Sequence, residues 1–466
     1  MTITRTYSEY CHNLTYDAIP EEVIQYAKQL VMDIVGNSVG AATRARSSRP
    51  ILAGVQAVDS GAGATALATG DSMSPAYAAM VNGSLGHSLD YDDTHRAASV
   101  HPSVVTVPAA LAAGEMVNAS GRELLTGIVA GHEIVCRLGK AINPSAHYDL
   151  GFHGTKTCGV FGSTAAAGTV LGMDTQQLES AFGVNGSQTS GSLQFLEDGS
   201  WNKRIHPGLA AHEALTAVSL ASEGFTGASK SIEGKYGFFH GYSREPRPKL
   251  ATETLGEEFE LLRTGLKPYP CCRYMHNALD LLVEMVDIPN IRPGDVETIT
   301  IEIPTPGKKL VESCPGDYPE TYVDAQFSMP YGVALVLTGN GTDIDDFLRV
   351  LEEPYTETFQ RLYDNTTVTS STQIDEKYPD VWAARVTITT ERDTFARSAD
   401  YAKGEPESPM TWDETVAKFE ELTTELPDEM TETIIDRIEN LEAITVAEFV
   451  EPFAEQPEQR HLKPNQ

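Results

Sequence analysis

Long blocks of small and apolar residues set the first limit on how this chain can fold. Residues 76–86, 104–117, 124–139, 161–171 and 208–224 are rich in Ala, Gly and Val, and side chains that small let helices approach closely. Ahead of them, Pro20-Glu21-Glu22 opens a stretch, residues 23–39, whose apolar positions fall at helical spacing, with Gly36 and Gly40 near its end. The pattern over residues 20–268 predicts a tightly packed helical bundle. Membrane helices share this composition, but His132, Glu133, Arg137, His212 and Glu213 interrupt the blocks, and ionisable groups are rare inside a bilayer. No run of about 18 uninterrupted apolar residues is available to span one, and no N-terminal stretch has signal-peptide anatomy. The expectation is a cytoplasmic protein with no membrane partner.

Between about residues 290 and 395 the pattern changes. Residues 296–303 and 384–389 alternate apolar and polar side chains as half-buried strands do, and helical stretches are expected over 325–337 and 343–351. An acidic amphipathic helical pattern returns over 411–453. The fold class expected is therefore mainly α with a smaller α+β domain. The expected boundaries are 1–268 with 397–455 for the helical domain, 269–396 for the α+β part, and 456–466 for a frayed tail.

Charge narrows the partners. The chain carries 66 Asp and Glu against 34 Lys and Arg, of which 14 are Lys, for a net charge of −32 over 466 residues. Self-repulsion on that scale is screened within roughly 3 Å in molar salt, so a Lys-poor, acid-coated surface points to a high-salt, halophilic interior. Phosphate-backbone binding needs a basic surface, which argues against nucleic acid. The six cysteines, at 11, 136, 158, 271, 272 and 314, lack the paired spacing of zinc or iron–sulfur ligation and read as reduced thiols.

The chemistry concentrates in a few segments. Residues 87–103 hold His87, Asp90, Asp92, Asp93, Thr94, His95 and His101, a mixture able to build an acid/base centre or a metal site. A blander use of Asp92, Asp93 and Thr94 is to cap the apolar run that follows. His153 precedes a Gly/Ala-rich helix, where backbone amides favour an anion. Lys203, Arg204 and His206 are expected just before another Ala-rich helix. In Lys267-Pro268-Tyr269-Pro270-Cys271-Cys272-Arg273, two prolines stiffen the chain and fix where Lys267 and Arg273 point. Taken alone, each of these also reads as an ordinary loop, cap or hinge.

Together they carry a resemblance. The 87–101 block, Gly151-Phe152-His153, the 203–208 segment, Lys267-Pro268-Tyr269-Pro270 and Asp324-Ala325-Gln326-Phe327-Ser328 stand in the order seen in the MmgE/PrpD family, which the chain resembles from about residue 5 to 455. The resemblance implies a large helical domain formed by both chain ends, a smaller α+β lid and a homodimer. It implies a cofactor-independent hydro-lyase of the 2-methylcitrate dehydratase type acting on a small polycarboxylate, with decarboxylation or epimerisation of a related acid as variants. Carried over by position, the catalytic residues are Asp90, Thr94, His101, His153, Lys203, Lys267 and Tyr331, with no metal. Lys203, Lys267 and Arg273 suit the carboxylates of such a substrate by their charge, though Cys271-Cys272-Arg273 departs from the family pattern. His101 and His153 are then the acid/base pair.

Two other classes stay open. His87, Asp90, Asp92, Asp93 and His95 converging on a divalent ion would make a metal-dependent hydrolase. A noncatalytic binding protein would use the histidines only to satisfy buried polar groups.

Overall fold

A computed structural model describes residues 2–197, 199–313, 317–339, 343–349 and 355–454. Asp198, Cys314, the end of the expected 343–351 helix and the expected frayed tail lie outside the described residues. The chain forms two compact units, residues 1–264 with 411–466, and residues 265–410. The first is helical, and the second mixes helices with a four-stranded sheet, as the mainly α class with a smaller α+β part requires.

The small-residue blocks become helices Pro75–Gly86, Ser103–Val117, Gly121–Ala141, Gly159–Val170 and Asn202–Ser222. Their packing explains the glycines. A Cβ on Gly208 would stand 2.1 Å from both the Met80 carbonyl oxygen and Ser84 Oγ, so helices 202–222 and 75–86 touch backbone to backbone. Gly36 and Gly40 do not end the first long helix, which runs Glu21–Arg44. They form a groove instead, where added Cβ atoms would meet Phe419 at 3.0 Å and Leu422 at 2.9 Å, and the helix Trp412–Leu422 lies in it. That helix starts at a capping box of Thr411 and Glu414.

Of the groups that interrupt the blocks, His132, Glu133 and Arg137 are buried, and His212 and Glu213 are half-buried. Arg137 meets Glu133 at 3.0 Å and donates to the carbonyls of Thr254 and Glu258; removing one partner from such a pair costs about 3–5 kcal/mol. Among the described residues no helix is long and apolar enough to cross a membrane.

In the second unit the strand Val296–Glu302 pairs in parallel with Thr366–Thr369 and antiparallel with Ala384–Thr390, which pairs in turn with Thr394–Ala399. Helices Arg273–Val286 and Met329–Leu337 pack on each other, and the first also packs on the strand Ala384–Thr390. The expected helix over 325–337 is two helices, Tyr322–Gln326 and Met329–Leu337. Ser328 separates them: its hydroxyl caps the second by accepting from the Tyr331 amide, and Pro330 has no amide hydrogen to continue the first.

Overpacking at Gly208→Ala should cost about 1–3 kcal/mol in urea denaturation. Gly54→Ala, on the open face of helix Ser48–Gln56 with nothing within 4 Å, should instead stabilise by about 0.5–1 kcal/mol. Equal midpoints for the two variants would refute the close approach.

Candidate active site

Residues 87–102 link helix Pro75–Gly86 to helix Ser103–Val117 and centre on Asp92, which is fully buried. Its Oδ2 accepts from His87 Nδ1 at 2.7 Å and lies 3.3 Å from His101 Nδ1. His101 Nδ1 also donates to the Asp93 carbonyl oxygen at 2.8 Å. A carbonyl oxygen only accepts, so His101 carries a proton on Nδ1, and the Asp92 carboxylate accepts likewise from His87 Nδ1; in the neutral form of either ring the lone pair is then on Nε2. His87 Nε2 and Thr94 Oγ1 are buried with no partner among the described residues. Buried polar atoms are normally satisfied, which marks these two as places for a ligand atom.

The two adjacent acids are shifted in opposite directions. Burial alone would raise Asp92, but the facing imidazoles of His87 and His101 hold it well below the usual carboxylate range. Burial, with Asp92 and Asp33 close by, holds Asp93 well above it. Asp93 accepts from Ser103 Oγ at 2.7 Å at the start of helix Ser103–Val117. The capping use expected for this run thus falls to Asp93, while Asp92 orients imidazoles. Burial also lowers His87 to about 4, against the pull of Asp92.

Asp90 adopts a positive φ of 52°, which Asp tolerates better than most residues. Its Oδ1 meets Lys203 Nζ at 2.7 Å. Lys203 does not precede a helix as expected: helix Asn202–Ser222 already includes Lys203, Arg204 and His206, because Pro207 removes one intrahelical hydrogen bond without ending it. The first two turns of the helix therefore carry Lys203 and His206, three residues apart and so on one face, to the site. His153 stands just before the short helix Gly154–Thr157, and its Nδ1 is 3.0 Å from His206 Nδ1. One of that pair donates and the other accepts. Burial, then the neighbouring His206, His87 and Lys203, lowers His153 well below the ordinary imidazole value, and burial lowers His206 to about 4.

The result is a file of four rings, His101, His87, His153 and His206, with successive centroids 4.6, 6.1 and 5.2 Å apart. His87, Asp92 and His206 are absent from the residues implied by the resemblance. Their signal in the sequence is residue type together with nearness, His87 and Asp92 to Asp90, and His206 to Lys203.

The five-residue metal set does not converge. Asp90 faces Lys203, Asp93 faces Ser103, and His95 Nε2 lies 3.1 Å from Glu260, which also takes Lys140. Among the described residues His87, Asp92 and His101 remain grouped, with ligand atoms within 4.8 Å of one another.

The remaining expected site residues belong to the second unit. Lys267 is buried. Arg273 Nε pairs with Glu405 at 2.8 Å and Nη1 donates to the Leu266 carbonyl, while Nη2 is buried without a partner among the described residues. Tyr331 is fully buried against Phe347 and Phe359, its hydroxyl 3.5 Å from the Asp346 carbonyl oxygen. Cys11, Cys136, Cys158, Cys271 and Cys272 are free and buried.

Comparison with known proteins adds an independent line. The MmgE/PrpD N-terminal domain model matches residues 5–251 and the C-terminal domain model residues 269–443. The chain is similar to a cis-aconitate decarboxylase of Aspergillus terreus, 25% identical over 449 residues, covering 91% of this chain and 90% of the relative. A cis-aconitate decarboxylase-like protein of Aspergillus oryzae is 26% identical with the same coverage. The human cis-aconitate decarboxylase is 25% identical over 74% of this chain and 72% of its own length.

The buried imidazoles make stability pH-dependent. His87, His132 and His206 are each lowered to about 4 by burial, while an unfolded chain binds the proton near 6.5. The unfolded state therefore holds more protons between these values. The contribution of these imidazoles to stability should fall as pH drops from about 6.5 toward about 4, by up to about 1.4 kcal/mol per pH unit for each ring, while the raised carboxyls of Asp93 and Glu133 act in the opposite direction. Nitrogen-15 NMR titration isolates the rings: these three should stay neutral at about pH 5.5, and protonation near 6.5 would contradict neutral buried imidazoles.

Proposed function

The chain belongs to the MmgE/PrpD family, and from that premise we propose that it is a lyase acting on a small polycarboxylate without a cofactor. The observation that carries the reading is the ionised Asp92 holding His87 and His101 by their Nδ1 protons, leaving Nε2 lone pairs beside the Asp90–Lys203 pair. Elimination of water needs a base for the proton next to a carboxylate and an acid for the departing hydroxyl. His101, with its Nε2 lone pair, is the base. When His206 donates to His153 Nδ1, His153 carries its proton on Nε2 and is the acid. The C–H electron pair then becomes the new double bond as the C–O bond breaks, and the hydroxyl leaves as water.

Thr94 Oγ1, unpartnered among the described residues, hydrogen-bonds the substrate in this scheme. Asp90 fixes Lys203, whose ammonium binds a substrate carboxylate. Lys267 and Tyr331 of the second unit enter the proposal through the family resemblance, as a cation for a further carboxylate and a hydroxyl donor, and Arg273 enters through its charge, as a second such cation. Homodimerisation and function in molar salt belong to the same proposal, the second supported by the net charge of −32.

The finer reading is a hydro-lyase of the 2-methylcitrate dehydratase type. The names of the relatives favour a second, decarboxylation of cis-aconitate, in which the same groups would handle the proton that replaces the lost carboxyl group.

Purified protein in molar KCl with a chelator should convert one of 2-methylcitrate, citrate or cis-aconitate. A new unsaturated acid from 2-methylcitrate identifies the dehydratase, and release of carbon dioxide from cis-aconitate the decarboxylase. His153→Ala should lower either rate by about 100-fold or more. No turnover of any of the three would overturn the polycarboxylate reading, and activity that depends on added metal would move the function to the His87, Asp92 and His101 group.

A further inference from the structure

The loop that carries Asp90 and Asp92 is held from below by a lysine more than three hundred residues away in sequence. Lys418, on helix Trp412–Leu422, donates to the Tyr91 carbonyl oxygen at 2.7 Å and pairs with Asp33 Oδ1 of helix Glu21–Arg44 at 2.5 Å. Its Nζ also stands 3.7 Å from the centroid of the Tyr91 ring. These contacts employ the donors of an ammonium toward a carboxylate, a carbonyl and an aromatic face. The side chains of Lys418 and Asp33 are 3% and 0% exposed.

A pair this deeply buried is a poor way to gain stability, because desolvation offsets the attraction and an apolar replacement of both partners is often neutral or better. What an apolar pair cannot supply is the hydrogen bond to Tyr91, the residue between the two acids of the site. Asp90 occupies a left-handed conformation, which Asp reaches more readily than most residues but which persists only where its surroundings over-determine it. Fixing the next carbonyl does so.

We propose that Lys418, oriented by Asp33, is a positioning residue that locks the backbone at Tyr91 so that Asp90 reaches Lys203 and Asp92 reaches both His87 and His101. Its readout in turnover rests on the polycarboxylate-lyase reading; its structural readout does not.

The test is the double variant Asp33→Asn with Lys418→Met, which removes both charges together and leaves neither stranded. It should fold with a melting temperature close to that of the natural chain. Its crystal structure should show Asp90 withdrawn from Lys203, and its kcat should fall by about 100-fold, the scale of an ångström-level misplacement. Lys418→Arg, which keeps a charge and donors in place, should retain more of kcat than the double variant. A double variant that keeps the Asp90–Lys203 contact and a kcat within about threefold of the natural chain overturns the proposal. So does one that fails to fold, since the pair would then serve stability. If the natural chain turns over no polycarboxylate, that reading fails by itself, and the Asp90–Lys203 contact in the double-variant structure still decides the role of Lys418.

Discussion

A carboxylate with no exposed surface, that of Asp92, sets the terms for the histidines around it. Taking a charge out of water is unfavourable unless hydrogen bonds to the charged form replace the lost hydration. Asp92 meets that demand at Oδ2 alone, which takes the Nδ1 proton of His87 and faces that of His101, while Oδ1 is buried with no partner among the described residues. The same contacts decide the tautomer of both rings, and the tautomer decides what each ring can offer: an Nε2 lone pair in both cases. Were Asp92 neutral, His87 would lose the carboxylate that holds its Nδ1 proton, while His101 would keep the Asp93 carbonyl; the Asp93 side chain, raised by burial and its acidic neighbours and turned to Ser103, is no substitute.

Helix packing delivers the other partners to this carboxylate. Glycine at position 208 lets helix Asn202–Ser222 lie against helix Pro75–Gly86, which sets Lys203 and His206 opposite the loop that begins at His87. Gly36 and Gly40 admit the helix Trp412–Leu422 into a groove of the helix Glu21–Arg44, and the same seating brings Lys418 to Asp33. The small residues that determine the helical bundle thus also determine the site. Substitutions there act on packing first and on side-chain geometry second.

Much of this was legible in the sequence. Small-residue blocks announced the helices to within a few residues, because alanine and glycine at close-packed faces leave few alternatives. The strands at 296–302 and 384–390 were visible in their alternation. The edge strand Thr394–Ala399 was less so, since its side chains are mostly exposed or half-buried and carry no core signal. The break at Ser328 depends on a cap made in three dimensions. The active-site segments were visible as clusters of residue types, but the division of labour between Asp92 and Asp93 was not. It depends on which neighbour each carboxylate meets, Ser103 at a helix start for one and two imidazoles for the other. Lys418 sits in an acidic amphipathic helix where a lysine ordinarily faces water, and nothing near it in sequence names Asp33 or Tyr91 as its partners.

The central claim concerns protons on named nitrogens, and nitrogen-15 NMR of the histidine rings reads them directly. At neutral pH His87 and His101 should both show a protonated Nδ1 and a pyridine-like Nε2, and Asp92→Asn should abolish that uniform pattern. Protonation at Nε2 in either ring of the natural protein, or a pattern unchanged in Asp92→Asn, would contradict the role given to Asp92.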